Sequence, residues 1–554
     1  MSSPTSSSSE LLLKNRFLGY LIWQSIPSTL IYILFSIFTP HFHFHQPQTP
    51  TTPSSSSSSS SSLWPLLLTL FSFLTFHLSN LIFSSSLSHL SSPFPHLPAS
   101  PLLLSTRFLR FLFVPGGPPP SPDFRSRAKL SLTFFIFVAA SAFSAALSLC
   151  GLRGFDADHD GFWVIGRVGL RGFFVGSLFG LHYVFKRRWI LQFPIIQRPP
   201  YFSFKMGIPS ASGRALKLSV IAFLFSAILL WILPLPLKGS IATGGFLSEQ
   251  IFFSIGCFAV FLCWELTHHL HQVIHTKRSV FAPPKGSAAA ETNPSEHLLS
   301  ALEESNPTSL LRYLAYLDIC MVSENNVDTW RRAAFFEETG ETYKRVIVVC
   351  LRPLEHLAST LGEGLGNSVD KAAQLSNQLS SPTDVRLDSK YLEQLNNFQL
   401  YAWCSRTVAS LTACSRKEDK FGVAQLSGSN AAVISTLISC LLAVENFMGK
   451  KTNLQSPNQL LGPAGIRWAT ANSSRVDVAA GKRRNGPVNS KAYAIADVLK
   501  NSIYQVVSAF HDEMLAGSKA SLLEKDWITS EKPFFGSREM LIQKLRLFLD
   551  FRAT

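Results

Sequence analysis

The sequence predicts an all-α protein in two parts: a polytopic membrane bundle of six transmembrane helices, followed by an all-α domain facing the cytosol or nucleoplasm. Three observations carry that prediction. Six apolar runs of about 20 residues, the length of a bilayer crossing, fall within residues 1–275. Charge is unevenly shared: counting Lys and Arg against Asp and Glu gives +11 for residues 1–275 and +4 for 276–554, and the first part has few acidic residues at all. Beyond residue 295 the apolar positions recur at helical spacing, with no run of strand alternation. A sparse basic excess spread between apolar runs suits an integral membrane protein, whereas a nucleic-acid binder crowds its basic residues on one soluble face.

The runs are 17–39, 63–83, 130–149, 162–185, 216–237 and 246–266. The first is about twice the length of a signal-peptide core and has no A-x-A site, so an uncleaved span is expected. The second contains His77 and several serines, which helices tolerate by bonding hydroxyls back to their own carbonyls. The fourth contains Arg167 and Arg171, each costing about 2.5–3.5 kcal/mol at a helix centre. Both lie in its first turns and are expected to snorkel outward towards Asp156, Asp158 and Asp160. No second buried charge is expected in another span, which argues against an ion path.

The connecting segments test the count. Lys14 and Arg16 precede the first run; loop two has Arg107, Arg110, Arg125, Arg127 and Lys129; loop four has Lys186, Arg187, Arg188, Arg198, Lys205 and Arg214; Lys277 and Arg278 follow the sixth run. Loop one (40–62) has no Lys or Arg, loop three only Arg153 and loop five only Lys238. That alternation places both termini on the cytoplasmic side. Loop two also holds "PLLLSTRFLRFLFV" (101–114), either an interfacial amphipathic helix or a helix packed on the bundle. Loop one joins "HFHFH" (41–45) to nine consecutive serines, and is expected to be disordered.

Residues 276–295 read as a linker, 296–450 and 489–554 as the two parts of a helical domain, and 451–488 as a disordered loop containing a basic "GKRRNGP" (481–487). Helical stripes are Leu310, Leu314, Leu317 and Met321; Tyr343, Val346, Ile347, Cys350 and Leu354; and Ile495, Val498, Leu499, Ile503, Val506 and Phe510. Further helices are expected near 392–416, 429–448 and 537–550. "AAVISTLISCLLAV" (431–444), with 14 apolar residues, is too short to span and fits a buried core helix. "LGEGLG" (361–366) follows a helix and reads as its stop. The eight cysteines, at 150, 257, 263, 320, 350, 404, 414 and 440, form no C-x-x-C pair or dense spacing, so neither a disulfide framework nor a zinc module is expected.

The one stretch suggestive of catalysis is "WELTHHLHQVIH" (264–275). On a helix, His268, His271 and His275 fall within about 60° of one another, and imidazoles three or four residues apart can share a metal ion. The stretch is either part of a histidine-dependent metal membrane enzyme of lipid modification in the endoplasmic reticulum, or a helix leaving the bilayer, where imidazoles suit its C-terminal end. H-E-x-x-H, G-x-S-x-G, Walker A and C-x-x-C motifs are absent, and no catalytic, cofactor or metal residue is assigned.

One stretch carries a family signature: "SLLRYLAYLDICMVSENNVDTWRRAAFFEETGETYKRVIVVCLRPLEHL" (309–357). With six spans ahead of it, it resembles the nuclear division cycle family, the Ndc-one type of transmembrane nucleoporin, and within it the plant members. "KNRFLGYLIWQSIPSTLIY" (14–32) and "ELTHHLHQVIHTKRSVFAP" (265–283) share that resemblance. It implies a non-enzymatic anchor of the nuclear pore complex in the nuclear envelope, with a minor pool in the endoplasmic reticulum, supporting pore assembly and protein and mRNA transport. Implied partners are membrane lipids and scaffold and linker nucleoporins, an ALADIN-type WD-repeat nucleoporin among them; no direct nucleic acid is implied, and a homo-oligomer is left open. Arg331, Arg332, Phe335 and Phe336 are the candidate partner-binding residues, because Arg and aromatics dominate interface energetics; the other reading is that the phenylalanines are core and the arginines solvated.

Overall fold

The computed structural model describes residues 4–38, 63–95, 98–100, 102, 104–107, 122–154, 159–232, 243–284, 286–304, 306, 308–372, 394–454, 487–519 and 523–553. Loop one with its "HFHFH" and serine tract, most of 101–114 and residues 481–486 of the "GKRRNGP" cluster lie outside the described residues. The chain forms two compact units, residues 1–277 and 278–554. Among the described residues the named elements are all helices, with one isolated parallel bridge, Ser92 to Ile190.

Each expected span falls on its own helix: α1 (Pro4–Phe38), α2 (Leu63–Leu90), α3 (Pro122–Arg153), α4 (His159–Phe185), α5 (Pro200–Ile232) and α6 (Thr243–Thr276). At 32 to 34 residues, α3, α5 and α6 are about 50 Å long and overrun the roughly 30 Å of hydrocarbon. Helix α6 is the hub, packed by α1, α2, α3 and α5. Helix α4 packs on α3 through Gly172, Gly176 and Gly180, one every four residues; a Cβ at Gly176 would run into Ser141, Ala142 and Ala145. Between membrane helices, where apolar burial gains nothing over lipid, such small-residue seams allow the close van der Waals approach that holds helices together. An aromatic cluster fills the centre, with Phe83 stacked on Trp264 at 4.2 Å and Phe179 edge-on to the same indole at 4.9 Å. The hydroxyls of α2 bond back as expected, Ser79 to the Phe76 carbonyl and Ser84 to that of Asn80. His77 instead reaches α1, at 3.0 Å from the Ser28 hydroxyl.

The cationic segments gather at one end of this bundle. Arg16 donates to the carbonyls of Ile274, His275 and Lys277, capping the last turn of α6. Ser91, just past α2, lies 3.3 Å from His271, and Ser92 exchanges backbone hydrogen bonds with Trp189 and Leu191, just past α4.

The second unit contains α7 (Ala288–Thr292), α8 (Glu296–Leu302), α9 (Leu310–Glu324), α10 (Thr329–Ala333), α11 (Glu341–Ala372), α12 (Phe398–Glu418), α13 (Val423–Leu426), α14 (Ser429–Leu454), α15 (Pro487–Ala509), α16 (His511–Lys519), α17 (Leu523–Trp527) and α18 (Arg538–Ala553). Helix α7 lies inside the stretch read as a linker, its first turn capped by the Ser287 hydroxyl. Helix α9 is buried on nearly every face, well beyond the expected stripe, and the α11 stripe from Tyr343 to Leu354 is fully buried. "LGEGLG" is not a helix stop: α11 runs through it to Ala372, and Gly362 serves a different purpose, since a Cβ there would press to 3.1 Å on the Phe535 ring.

Helix α14 corrects a second expectation. Among the described residues seven helices, not six, are long and apolar enough to cross a membrane, and the seventh lies in 429–449. Polar residues at both ends of the 14-residue apolar run continue the helix to 26 residues. It packs against α11, α12, α15, α17 and α18, with Val433, Ile434, Leu437, Ile438 and Leu441 wholly buried. Its serines hold the 529–535 segment: Ser435 accepts from the Thr529 N–H at 3.0 Å, and Ser439 accepts from the Phe535 N–H at 2.7 Å. Such surroundings are those of a core helix.

Candidate functional site

The first unit turns apolar side chains outward and polar ones inward. Leu18, Ile22 and Trp23 on α1, Leu70, Leu74 and Leu78 on α2, Phe135 and Phe143 on α3, and Leu216, Val220 and Leu224 on α5 are exposed. Gln24, Asn80, Ser141, Ser144, Ser148 and Thr267 are buried. This is the polarity of a lipid-facing bundle, in which interhelical hydrogen bonds such as Ser144 to the Ser79 carbonyl at 2.5 Å replace water.

Arg167 and Arg171 do not snorkel towards the acidic loop. They turn sideways to Glu249, at the start of the α6 span. Arg167 makes a bidentate pair with it, at 3.0 and 2.6 Å, and Arg171 Nη1 adds a third hydrogen bond at 3.2 Å. The remaining donors of Arg171 are satisfied too: Nε by Ser226 at 2.6 Å and Nη2 by the Gln250 carbonyl at 2.8 Å, while the guanidinium lies 3.7 Å over Phe253. Of the loop-three aspartates, Asp156 and Asp158 lie outside the described residues. The partner is a carboxylate on another span, which the sequence reading missed. Glu249 stood in plain view inside the sixth run, but nothing local connects it to an arginine 82 positions earlier.

Sixteen residues further along α6, about 24 Å at 1.5 Å per residue, comes a second ionic layer. Glu265 is wholly buried and takes Arg188 in a bidentate pair at 2.5 and 2.7 Å, with Arg214 Nε at 2.8 Å. The histidines follow it along α6, each with its own structural partner. His268 Nδ1 lies 3.0 Å from the Tyr183 hydroxyl, and His271 and His275 stack at 4.0 Å with the edge of Tyr20 against both. His275 Nδ1 is 3.1 Å from the His271 carbonyl. His269 faces away, stacked on Phe204 and 3.1 Å from the Ser203 carbonyl; α5 comes close at Gly207, where a Cβ would overlap the imidazole as placed. Among the described residues no three His, Cys, Asp or Glu side chains are grouped to hold a metal. The arrangement is a packed, capped helix end.

In the second unit, the four residues nominated for partner binding are buried. Arg331 and Arg332 are each 4% exposed. Arg331 Nη2 meets Asp318 at 2.7 Å and the Phe281 carbonyl at 3.2 Å, and Arg332 holds Glu418 at 2.9 and 2.5 Å. Phe335 is core, and Phe336 lies against Tyr343 at 5.3 Å. These side chains tie the α9–α11 region together and are buried within it. Burial pushes the Cys320 thiol up to about 12 and that of Cys404 well above its ordinary value, so both stay protonated and unreactive.

Residues 373–515, about a quarter of the chain, match the family model described as nucleoporin protein Ndc1-Nup. The matched stretch includes α12 to α15 and begins after the 309–357 segment that carries the resemblance in sequence. No curated protein matches the chain. Residues 373–515, which follow a bundle of helices long and apolar enough to cross a membrane, are thus similar to the Ndc1-type nucleoporin family.

Proposed function

We propose that this protein anchors the nuclear pore complex in the pore membrane. Six helices of the first unit fix it in the bilayer, and the second unit, on the cytoplasmic or nucleoplasmic side, binds scaffold and linker nucleoporins, an ALADIN-type WD-repeat protein among them. In this role it supports pore assembly and the protein and mRNA traffic that depends on it, with a minor pool in the endoplasmic reticulum. The observation that carries the reading is the gathering of the cation-bearing segments at one end of a lipid-facing bundle, joined to the Ndc1-Nup match. By the positive-inside rule that end faces the cytoplasm, and six crossings return both termini to it. The alternative, a histidine-dependent metal enzyme, is disfavoured by the partners each imidazole already has.

The test is high-resolution imaging of a C-terminally tagged full chain against a pore marker. Puncta on the nuclear rim that coincide with pores support the anchor; an even reticular network without rim enrichment sinks it. Glycan acceptor sites placed at the C-terminus and in loop one sharpen the topology: modification in loop one alone supports six crossings, and modification at the C-terminus supports a seventh through α14.

A further inference from the structure

The bundle end that carries the cations also carries a cavity of about 710 Å³, formed by the 188–198 segment, the start of α5 and the last turns of α6. Its volume lies in the range of small-ligand sites, roughly 300–1,000 Å³. Arg188, Arg198, Arg214 and Lys277 line it, and no Asp or Glu does among the described residues. The nearest carboxylate, Glu265, already serves both Arg188 and Arg214, so one anion stands behind four cations. Arg198 donates to the Met206 sulfur, and neither it nor Lys277 has a carboxylate partner among the described residues.

The rim of the cavity is apolar. Ile195 and Ile196, on a segment outside any helix, are 96% and 66% exposed, and Met206 beside them is exposed as well. Two exposed isoleucines next to a cationic cavity are poor design for water. They are good design for the depth at which headgroups give way to acyl chains, which is where α4 leaves and α5 enters the apolar part of the bundle. Below the rim, Leu216, Val220 and Leu224 of α5 continue an outward apolar face along which acyl chains can lie.

We propose that this cavity is a binding site for an anionic phospholipid, with the headgroup phosphate among Arg198, Lys277 and the free edges of Arg188 and Arg214, and the chains beside Ile195, Ile196 and α5. It rests on the anchor reading only in that the bundle sits in a bilayer; location at pores is not required. A phosphate could also arrive on a soluble inositol phosphate, and the apolar rim favours the lipid.

The experiment is native mass spectrometry of the full chain released from detergent, with phosphatidylinositol phosphate and phosphatidylcholine offered at equal concentration. The expected result is retention of the anionic lipid about tenfold or more over phosphatidylcholine. The Arg198→Ala/Lys277→Ala double variant, whose side chains are exposed and whose unfolding temperature should match the parent, abolishes the preference. A Lys525→Ala/Lys532→Ala control removes the same charge from the exposed surface of the second unit and leaves the preference intact. Ile195→Ser/Ile196→Ser weakens the lipid but not inositol hexakisphosphate. Equal retention of both lipids, or a preference that survives Arg198→Ala/Lys277→Ala, overturns the site. Binding of inositol hexakisphosphate that displaces the lipid completely and ignores the isoleucine change overturns the lipid assignment. Because the readout is purified protein, it stands or falls independently of the imaging at the nuclear rim.

Discussion

Helices α6 and α14 are near twins in isolation. Both contain 18-residue windows apolar enough to cross a membrane, and in both most of that window is buried, 61% in α6 and 67% in α14. The difference lies one shell further out. The helices around α6 present leucine, isoleucine and phenylalanine outward. Around α14 the outer faces carry paired charges instead: Arg345 with Glu303, Arg406 with Glu324, Arg538 with Glu524 and Lys544 with Glu445. Hydropathy along one helix reports that it is buried, while the medium outside is reported by what its neighbours show.

Removing the carboxylate on each helix, Glu265 of α6 and Glu445 of α14, separates the two most clearly. Glu265→Ala leaves Arg188 and Arg214 unpaired around a buried site and should cost about 3–5 kcal/mol, seen as loss of monodisperse protein on mild heating in detergent. Glu445→Ala frees Lys500 and Lys544 near water and should cost no more than about 1 kcal/mol in the same assay. Equal effects would mean that the two shells do not differ as described.

A second pair tests the medium directly. Leu224 on α5 and Leu547 on α18 are equally exposed, at 58%. Leu224→Asp should impair membrane insertion by about 2.5–3.5 kcal/mol. Leu547→Asp should shift stability by no more than about 0.5 kcal/mol, measured by thermal unfolding. A tolerated Leu224→Asp would remove the lipid-facing assignment of α5.

Within the second unit, Phe335→Ala opens a cavity in the α9–α11 weld and should destabilise it by about 3–5 kcal/mol. Partner capture that fails while the unfolding temperature is unchanged would return Phe335 to the interface.

The smallest effect concerns pH. Hydrogen bonds from Arg345 hold the Glu303 carboxyl below its ordinary value. A depressed folded-state value contributes stability above the unfolded value and loses it as pH falls through the folded one. At this half-exposed pair the contribution is under about 1 kcal/mol, and Glu303→Gln should flatten that part of the acid-unfolding profile.

The spans were legible because bilayer thickness dictates the length of an apolar run, and the gathering of cations because charge distribution between runs is a one-dimensional signal. The stripe on α11 was legible for the same reason of period. What escaped the sequence is pairing over distance. Nothing near Arg171 announces Glu249, Gln250 and Ser226, and nothing near Arg331 and Arg332 announces Asp318 and Glu418 as the partners that draw them inside. The full length of α14 escaped because Glu445, Asn446 and the lysines after them end the apolar run without ending the helix. At 264–275 the sequence left open whether the histidines hold a metal or pack as a helix end; the Tyr183 hydroxyl beside His268 and the Tyr20 ring against His271 and His275 fit the packed end.

The two belts of charge on α6 also act as a calliper. Glu249 and Glu265 stand about 24 Å apart along the axis. An average bilayer has about 30 Å of hydrocarbon, that of the endoplasmic reticulum about 27 Å, and a sterol-rich plasma membrane about 32–33 Å. Hydrophobic mismatch is therefore least in the thinner membranes of the secretory pathway's origin. A thicker one would require the lipid to thin around the bundle, at a cost of fractions of a kcal/mol per ångström.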